Sequence, residues 1–243
     1  MQDRYVGDVG DFIKLALLRA LQPGYRLGVA WWLYPDEAQN GDGRHVAYLQ
    51  RPDEWRNLDP TLFDGLARIV ESGDRRVSAL QDAGFLSGTV FCDELIPTKG
   101  TPTQRRRDRE AWFGRVKDNL DGCGLIFLDP DNGLETAGFS LGAVASGKSV
   151  GLAQLDGLRG QGRTLVVYHH QTRRKAGHLA ELGYWAGRLR GQGFRTVDAI
   201  RSRPYSARVF FLLDAPHDLR RRAHQFTGRW GAWLSWHPDA SAI

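Results

Sequence analysis

The sequence has few of the residues that mark disulfide-rich, metal-stapled or membrane proteins. Its 243 residues include two cysteines, Cys92 and Cys123, without CxxC spacing, so neither a disulfide framework nor a structural zinc site is expected. No apolar stretch reaches the length of a membrane span, and residues 1–4 carry no apolar signal core. We therefore expect a cytoplasmic protein without a membrane partner.

Lysine is also scarce, because only five of the 33 basic residues are lysines and the rest are arginines. The formal net charge is +5, but basic residues cluster at positions 105–107, 173–175 and 220–222. Such clusters can neutralise phosphates and favour a nucleic-acid partner. An arginine-rich composition with solvated basic faces explains the pattern equally well, so both interpretations stay open at this stage.

Apolar runs alternate with segments of helical periodicity along the chain. The runs lie at residues 27–33, 89–92, 125–128, 165–168, 195–200 and 209–213, and the helical segments at 11–21, 60–72, 104–120 and 178–190. This alternation predicts an α/β fold, Rossmann-like and doubly wound, with a mostly parallel sheet, helices on both faces and an antiparallel edge pair. We expect one domain over residues 1–243, with a helical insertion at 51–88 and a short helix after Pro216.

Residues 142–149, GAVASGKS, match the phosphate-binding P-loop pattern. A working P-loop follows a hydrophobic strand and opens a helix, so that its backbone amides surround the phosphates. No such strand precedes Gly142, and the next apolar run ends in histidines rather than in a magnesium-binding aspartate. We therefore expect no nucleotide hydrolysis at this motif.

The segment 125–135, LIFLDPDNGLE, carries the strongest functional signal. Its four apolar residues predict a buried strand, and three acids follow closely: Asp129, Asp131 and Glu135. In an open α/β sheet, ligands and catalytic groups lie at the carboxyl ends of the strands. The segment therefore predicts a functional site, with an acidic turn of no function as the alternative.

The N-terminal segment 5–21 combines two Gly-Asp pairs with an amphipathic helix. Asp8 is the expected N-cap of this helix. Asp11 and Lys14 lie three residues apart, on the same side. The segment predicts either a capped helix with an internal ion pair or a polar cluster that faces a cleft.

Two further segments follow apolar runs. The first run leads into acids and a glycine turn, with candidate ligand-binding residues Asp36, Asn40, Gly41, Asp42 and Gly43. A later run closes with Tyr168, His169 and His170. Because successive strand residues face opposite sides, only one of the two histidines is expected to enter a cleft, where it would orient the substrate or act as a base.

Together these motifs resemble the bacterial 23S rRNA adenine methyltransferase family, which uses S-adenosylmethionine to modify an exocyclic amine. That family opens with an AGNHADVLKH-like segment, and VGDVGDFIKL stands in its place here. Its first strand leads into a GAGR-like turn, for which residues 41–44 are the nearest counterpart. The chain is also similar to bacterial and phage-borne proteins that share the DPDNGLE and YHH segments, a likeness that carries no activity with it.

The catalytic strand of that family ends in Asp-Pro-Pro-Tyr, and Asp129 and Pro130 coincide with the first half of this motif. Asp131 replaces the second proline. Asn132 replaces the aromatic residue that stacks on a flipped base. The resemblance implies that Asp129 accepts a hydrogen bond from the target amine while the Pro130 carbonyl helps to aim its lone pair.

The resemblance therefore predicts a methyltransferase acting on an amine of a nucleic acid, with S-adenosylmethionine as cofactor. The predicted catalytic residues are Asp129, Pro130, Asp131, Asn132, Lys14 and His169. The predicted cofactor-binding residues are Asp8, Asp11, Asp36, Asn40, Gly41, Asp42, Gly43, Asp93 and Glu94. Of these, Asp93 or Glu94 would contact the adenosine ribose.

Two alternatives remain at this stage. A metal-dependent phosphodiesterase or nuclease would hold Mg²⁺ with Asp129, Asp131 and Glu135, and His169 or His170 would activate water. A non-enzymatic domain of the same fold would bind a partner or a nucleotide. Under the leading prediction no permanent metal is expected, because no histidine and acid are spaced as local metal ligands.

Overall fold

The computed structural model describes residues 1–37, 45–160, 162–172 and 176–240. The strands in these ranges are β1 (Leu27–Ala30), β2 (Val90–Cys92), β3 (Leu125–Leu128), β4 (Gly133–Leu134), β5 (Ser149–Val150), β6 (Thr164–His170), β7 (Val197–Ser202), β8 (Arg208–Leu213) and β9 (Leu234–His237). The helices are α1 (Val9–Leu21), α2 (Pro52–Trp55), α3 (Pro60–Ser72), α4 (Val77–Asp82), α5 (Pro102–Asn119), α6 (Leu152–Leu158), α7 (Gly177–Gly191) and α8 (His217–Arg229).

Seven strands form the central sheet, in the order β2-β1-β3-β6-β8-β7-β9. The first four are parallel, while β8 is antiparallel to β6 and to β7, and β9 is antiparallel to β7. The predicted α/β fold with a mostly parallel sheet is therefore confirmed. The antiparallel edge contains three strands, because β9 pairs with the outer side of β7.

Two apolar layers cover the sheet, one on each face. Strand alternation assigns Leu125 and Phe127 of β3 to one layer, with α1, α3 and α8, and Ile126 and Leu128 to the other, with α5, α6 and α7. Burial on both faces explains why these strands appear in the sequence as continuous apolar runs.

Helix α1 forms where the sequence predicts a capped amphipathic helix. The Asp8 side chain accepts a hydrogen bond from the backbone N–H of Asp11, which satisfies one of the free amides of the first turn. Its Phe12 ring is fully buried against aromatic rings that include those of Tyr48 and Trp230. Truncating a phenylalanine in such a site costs about 3–5 kcal/mol, so these contacts fix α1 against the end of α8 and the segment before α2.

Several predicted boundaries shift in the structure. The predicted strand 27–33 ends at Ala30, because the chain leaves the sheet at Trp31 and Trp32 adopts a φ of 50°. Strand β6 extends to His170, since β8 pairs along most of its length. The final helix α8 is 13 residues long rather than short.

Residues 51–88 contain helices α2, α3 and α4. Trp55 and Leu66 from this segment are buried in the apolar layer that also contains α1. None of the helices in the described part of the chain combines the length and the apolar character that a membrane crossing requires.

Candidate active site

A cleft of about 440 Å³ opens at the carboxyl ends of the parallel strands, next to the first turn of α1. Strands β3 and β6 contribute the residues that follow or end them, and α1 contributes Gly10, Asp11 and Lys14. A cleft of this size is typical of small-molecule sites, which measure roughly 300–1,000 Å³. It occupies the edge of the sheet at which ligands bind in open α/β folds.

The floor of the cleft is a buried ion-pair network around Lys14. Its ammonium group donates to Asp129 Oδ2 at 2.5 Å and pairs with Asp11 Oδ1 at 2.9 Å. Asp11 Oδ2 accepts from the backbone N–H of Gly7 at 2.8 Å. The network joins α1 to the end of β3 and brings together three residues that the sequence predicted as one site.

Two carboxylates share one ammonium group in this network, and the pKa values of Asp11 and Lys14 are both raised. Burial raises the pKa of Asp11 to about 6, although Lys14 opposes the rise; Asp8 and Asp129 add to it. Burial disfavours the charge of Lys14, but the two carboxylates outweigh this effect and hold the Lys14 pKa above its ordinary value. Lys14 is therefore charged throughout the physiological range.

Asp131 lies beside Asp129 and takes part in a second cluster. Its Oδ1 atom is 2.6 Å from the α-amino group of Met1, which also donates to the carbonyl oxygens of Trp32 at 3.2 Å and Asp129 at 2.7 Å. Its Oδ2 atom accepts from the side-chain amide of Gln2 at 2.5 Å. Three oxygen acceptors from the ends of β1 and β3 thus converge on one ammonium group.

The turn from Asp129 to Gly133 has a defined backbone. The Pro130 carbonyl accepts from Gly133 N at 3.1 Å, and Asn132 N donates to Lys148 O at 2.9 Å. Asn132 lines the cleft, whereas Pro130 does not. The predicted aiming role of the Pro130 carbonyl is therefore not supported by its position, since the carbonyl closes the turn.

The two histidines at the end of β6 face opposite sides, as strand alternation predicts. His170 lines the cleft, where its Nδ1 lies 3.3 Å from the Tyr168 hydroxyl. His169 is buried on the other face. Its Nδ1 accepts from Leu134 N at 3.2 Å, and its Nε2 lies 3.6 Å from Glu181 Oε1. His169, which the sequence predicted as catalytic, therefore lies outside the cleft, where its side chain braces β4 against α7.

Asp8 and Arg208 form the side of the cleft above α1. Arg208 Nη2 lies 3.9 Å from Asp8 Oδ2, and both side chains are almost fully buried. Gly10 faces them: a Cβ atom there would lie 2.9 Å from Asp8 Oδ1 and 3.2 Å from Arg208 Nε. Because Gly10 has no side chain, Asp8 and Arg208 can lie this close to α1 at the side of the cleft.

Three predicted cofactor-binding acids do not line the cleft. Asp36 accepts a hydrogen bond from Arg4 N at 3.3 Å on an exposed surface. Asp93 is exposed, and Glu94 pairs with Arg115 at 2.5 Å, because the loop after β2 turns toward α5. Asn40, Gly41, Asp42 and Gly43 lie outside the described residues. Glu37 lines the cleft instead and pairs with Lys148.

The metal-binding alternative requires three acids at one point, and the structure separates them. Glu135 pairs with Arg188 at 3.0 Å and accepts from Leu152 N at 2.9 Å, away from the cleft. Asp129 and Asp131 are each engaged by an ammonium group. Within the described ranges, no group of three or more histidine, cysteine or acidic side chains is placed to hold a metal ion.

The P-loop-like segment does not form a phosphate-binding loop. Residues Ala145–Lys148 form a short 3-10 helix that leads into β5 rather than a loop between a strand and an α-helix. The carbonyl oxygens of Leu141, Ala143 and Val144 accept hydrogen bonds from the buried Arg109 guanidinium. The segment therefore presents acceptors to an arginine, and the prediction that it is no P-loop is consistent with this geometry.

Arginines of the basic clusters are engaged in contacts within the protein. Arg105 donates to the Gly142 carbonyl at 2.8 Å, and Arg220 pairs with Asp198 at 2.8 Å. Arg222 donates to the Leu21 carbonyl at 2.9 Å. The cluster at 173–175 lies outside the described residues. The cationic groups in the cleft are instead Lys14, together with Lys148 and Arg208.

Sequence reasoning missed Lys148, Tyr168 and Arg208 as cleft residues, while Glu37 belongs to the acidic segment that it predicted after the first strand. A charged residue at the start of an apolar strand, as at Arg208, is the one available signal. A comparison with protein-family models gives no match, and a comparison with curated proteins gives none either.

Proposed function

We propose that this protein is an S-adenosylmethionine-dependent methyltransferase that acts on an amine of a nucleic acid. The buried Lys14–Asp129 pair carries the proposal. It fixes the orientation of a carboxylate at the end of β3, at the position where the resemblance to the rRNA adenine methyltransferases implies the catalytic aspartate. The match in the N-terminal segment supports it, since Asp11 and Lys14 belong to the same network.

The acids of the cleft decide which contacts are open to this cofactor. The carbonyl oxygens of Trp32 and Asp129 and the Asp131 carboxylate already hold the α-amino group of Met1, so we do not assign them to the cofactor. Glu37 offers a carboxylate to ribose hydroxyls in place of the predicted Asp93 or Glu94. When bound, the cofactor supplies an electrophilic methyl group on sulfur.

Asp129 and Asn132 would orient the target amine. Lys14 holds Asp129 Oδ2, and Asp129 Oδ1 can accept one N–H of the amine. The Asn132 side-chain oxygen can accept the second N–H, because Asn132 lines the cleft and Pro130 does not. The methylated nitrogen would release one proton through its hydrogen bond to Asp129.

No strong base is needed for this reaction, because positioning and removal from water supply most of the rate gain. Lys14 contributes by fixing the orientation of the Asp129 carboxylate. The assignment thus requires an oriented acceptor, and Asp129 meets that requirement.

Transfer of a labelled methyl group from S-adenosylmethionine to unmodified ribosomal RNA or DNA tests the proposal. We expect transfer by the wild-type protein, and a loss of about 100-fold for Asp129→Asn, within the range found for groups that act directly on a reacting proton. Asp118→Asn, an exposed change at the end of α5, is the matched control and should leave the rate unchanged. Equal rates for Asp129→Asn and the wild type, or no transfer to either nucleic acid, would contradict the proposal.

A further inference from the structure

Tyr205 occupies a strained position in the loop between β7 and β8. Its side chain is 42% exposed and its backbone φ is 60°. Ser206 N donates to the Pro204 carbonyl at 2.7 Å, which closes a three-residue turn around Tyr205. A γ-turn with a positive central φ is the rarer and more strained of the two γ-turn forms. A residue other than glycine seldom adopts it.

Arg208, the first residue of β8, holds the backbone of this turn in place. Its buried Nη1 group donates to the Pro204 carbonyl at 3.0 Å and to the Ser206 carbonyl at 3.3 Å, so one cation fixes the backbone on both sides of Tyr205. Strained backbone persists only where the surroundings over-determine it, and such sites cluster where ligands bind. An exposed ring held in this way is therefore a candidate for ligand contact.

The position of the ring points to the mouth of the cleft. The Tyr205 ring centroid lies 5.4 Å from that of His45, with the planes tilted by 43°. Both His45 and Ser206 line the cleft. Tyr205 thus lies beside the opening through which a substrate would reach Asp129. The turn at residues 129–132 contributes no ring of its own, because Asn132 stands where the resembling family has an aromatic residue.

Two arginines lie near Tyr205. Arg203 is exposed two residues before it, and the Arg51 guanidinium, which pairs with Glu54 at 2.5 Å, lies close enough to interact with the Tyr205 side chain. An aromatic face beside arginines is the combination that binds single-stranded nucleic acid, since the bases stack and the phosphates pair with the cations.

We propose that Tyr205 stacks on an unpaired nucleobase at the mouth of the cleft and supplies the aromatic surface that the Asp129–Asn132 turn lacks. The inference rests on the proposed function and deepens it, because it names the substrate as a single-stranded or locally unpaired nucleic acid. Arg208 is a positioning residue in this assignment, because it acts through the turn that carries the ring.

Fluorescence anisotropy with two labelled strands of about twelve nucleotides tests the inference. One strand is oligodeoxyadenylate and the other has the same phosphodiester backbone without bases. We expect Tyr205→Ala to weaken binding of the adenine strand about tenfold and to leave binding of the abasic strand unchanged. Tyr205→Phe should retain both affinities. Tyr184→Ala, which removes a tyrosine of similar exposure from α7, should also retain them.

Three results would overturn the inference. They are wild-type affinity of Tyr205→Ala for the adenine strand, an equal loss of affinity for both strands, and the absence of wild-type binding to the adenine strand. Tyr205→Gly separates folding from binding: it should melt at a higher temperature than Tyr205→Ala, because glycine accepts a positive φ, and should show the same loss of adenine binding. A lower melting temperature for the glycine variant would contradict the strained turn.

The failure of this inference and the failure of the proposed function give different results. If S-adenosylhomocysteine stabilises the protein while Tyr205→Ala binds both strands as the wild type does, only the stacking role falls. If S-adenosylhomocysteine does not stabilise the protein while Tyr205→Ala binds only the adenine strand more weakly, the methyltransferase proposal is contradicted and the stacking role of Tyr205 is supported.

Discussion

Lys14 lies between two buried carboxylates, so three charges share a small volume from which most water is excluded. Removing one member of such a group leaves an uncompensated buried charge, which costs more than the intact network contributes. We expect Lys14→Met, which keeps most of the side-chain volume, to lower the free energy of unfolding by about 3–5 kcal/mol in urea titrations. The physical reason is the repulsion between Asp11 and Asp129 once the ammonium group is gone.

Two further variants keep this test specific. Adding Asp11→Asn to Lys14→Met should recover part of the lost stability, because it removes one of the two unpaired carboxylates. Lys117→Met, at an exposed position of α5, should change the unfolding free energy little. Equal effects of Lys14→Met and Lys117→Met would show that the network contributes nothing to stability.

Asp11 makes the stability of the protein depend on pH. Burial raises its pKa from the ordinary value of 3.8 to about 6, so the folded protein holds this proton more tightly than the unfolded chain. The resulting stabilisation is fully present below about pH 4 and is lost as the pH rises through 6. Relative to Asp11→Asn, the wild type should therefore lose on the order of 2 kcal/mol between pH 4 and pH 7.

Urea unfolding of the wild type and of Asp11→Asn at these two pH values measures this difference. Asp118→Asn, an exposed change, provides the comparison in which the difference from wild type should stay nearly constant. A wild-type protein that gains stability over Asp11→Asn as the pH rises would mean that the Asp11 pKa is lowered, not raised.

At the residue scale, the sequence predicted Asp8, Asp11 and Lys14 because spacing along a helix determines which side chains cap it and which are neighbours. Asp8 precedes a helix as its N-cap, and Asp11 and Lys14 are neighbours at i and i+3. The sequence pointed to the acids at residues 36 and 37 but not to Glu37 as the one that enters the cleft, and it gave Arg208 no role. Glu37 and Arg208 reach the cleft from the chain after β1 and from the antiparallel strand β8, and only the tertiary arrangement brings them together.

The turn between β3 and β4 positions Asp131 and Asn132 in the cleft. Gly133 lies in this turn with a φ of 87°, and a Cβ atom there would lie 2.5 Å from the His169 Cα atom of β6. The turn can therefore approach β6 this closely only because residue 133 has no side chain.

Gly133→Ala should destabilise the protein by about 3 kcal/mol or more, since the strain of the positive φ adds to a contact with backbone that cannot move aside. Gly138→Ala is the matched control: its φ is 80°, but nothing lies within 4 Å of the added methyl group. It should cost about 1 kcal/mol, and thermal or urea unfolding gives both values. Similar costs for the two variants would contradict the close approach of the turn to β6.

At the scale of elements, the long apolar runs and periodic segments were predictable and the short strands were not. Strand β3 and helix α3 match their predicted ranges, because each has a complete pattern of its own. Strands β4 and β5 contain two residues each, too few for any alternation. Strand β9 lies in a tryptophan-rich segment, and its pairing with β7 is a long-range contact that no local pattern reports.

The charged residues of the cleft meet at one edge of the sheet. The chain reaches this edge after β1 and β3 and at the end of β6, α1 begins there, and β8 returns Arg208 to the same edge. The α/β pattern of the sequence predicted that the site lies at this edge, because ligand sites in open sheets lie beyond the carboxyl ends of the strands. The sequence did not predict which acids reach this edge. The directions of the loops after β2 and β3 place Glu94 and Glu135 away from the site.

The proposed activity requires that the cleft bind S-adenosylmethionine and its product. Isothermal titration of the protein with S-adenosylhomocysteine tests this requirement most directly, because it needs no knowledge of the methyl acceptor. We expect binding of one molecule per chain, together with a rise in melting temperature that grows with ligand concentration, as mass action requires. The absence of both a binding signal and a rise in melting temperature at millimolar ligand would contradict the methyltransferase assignment.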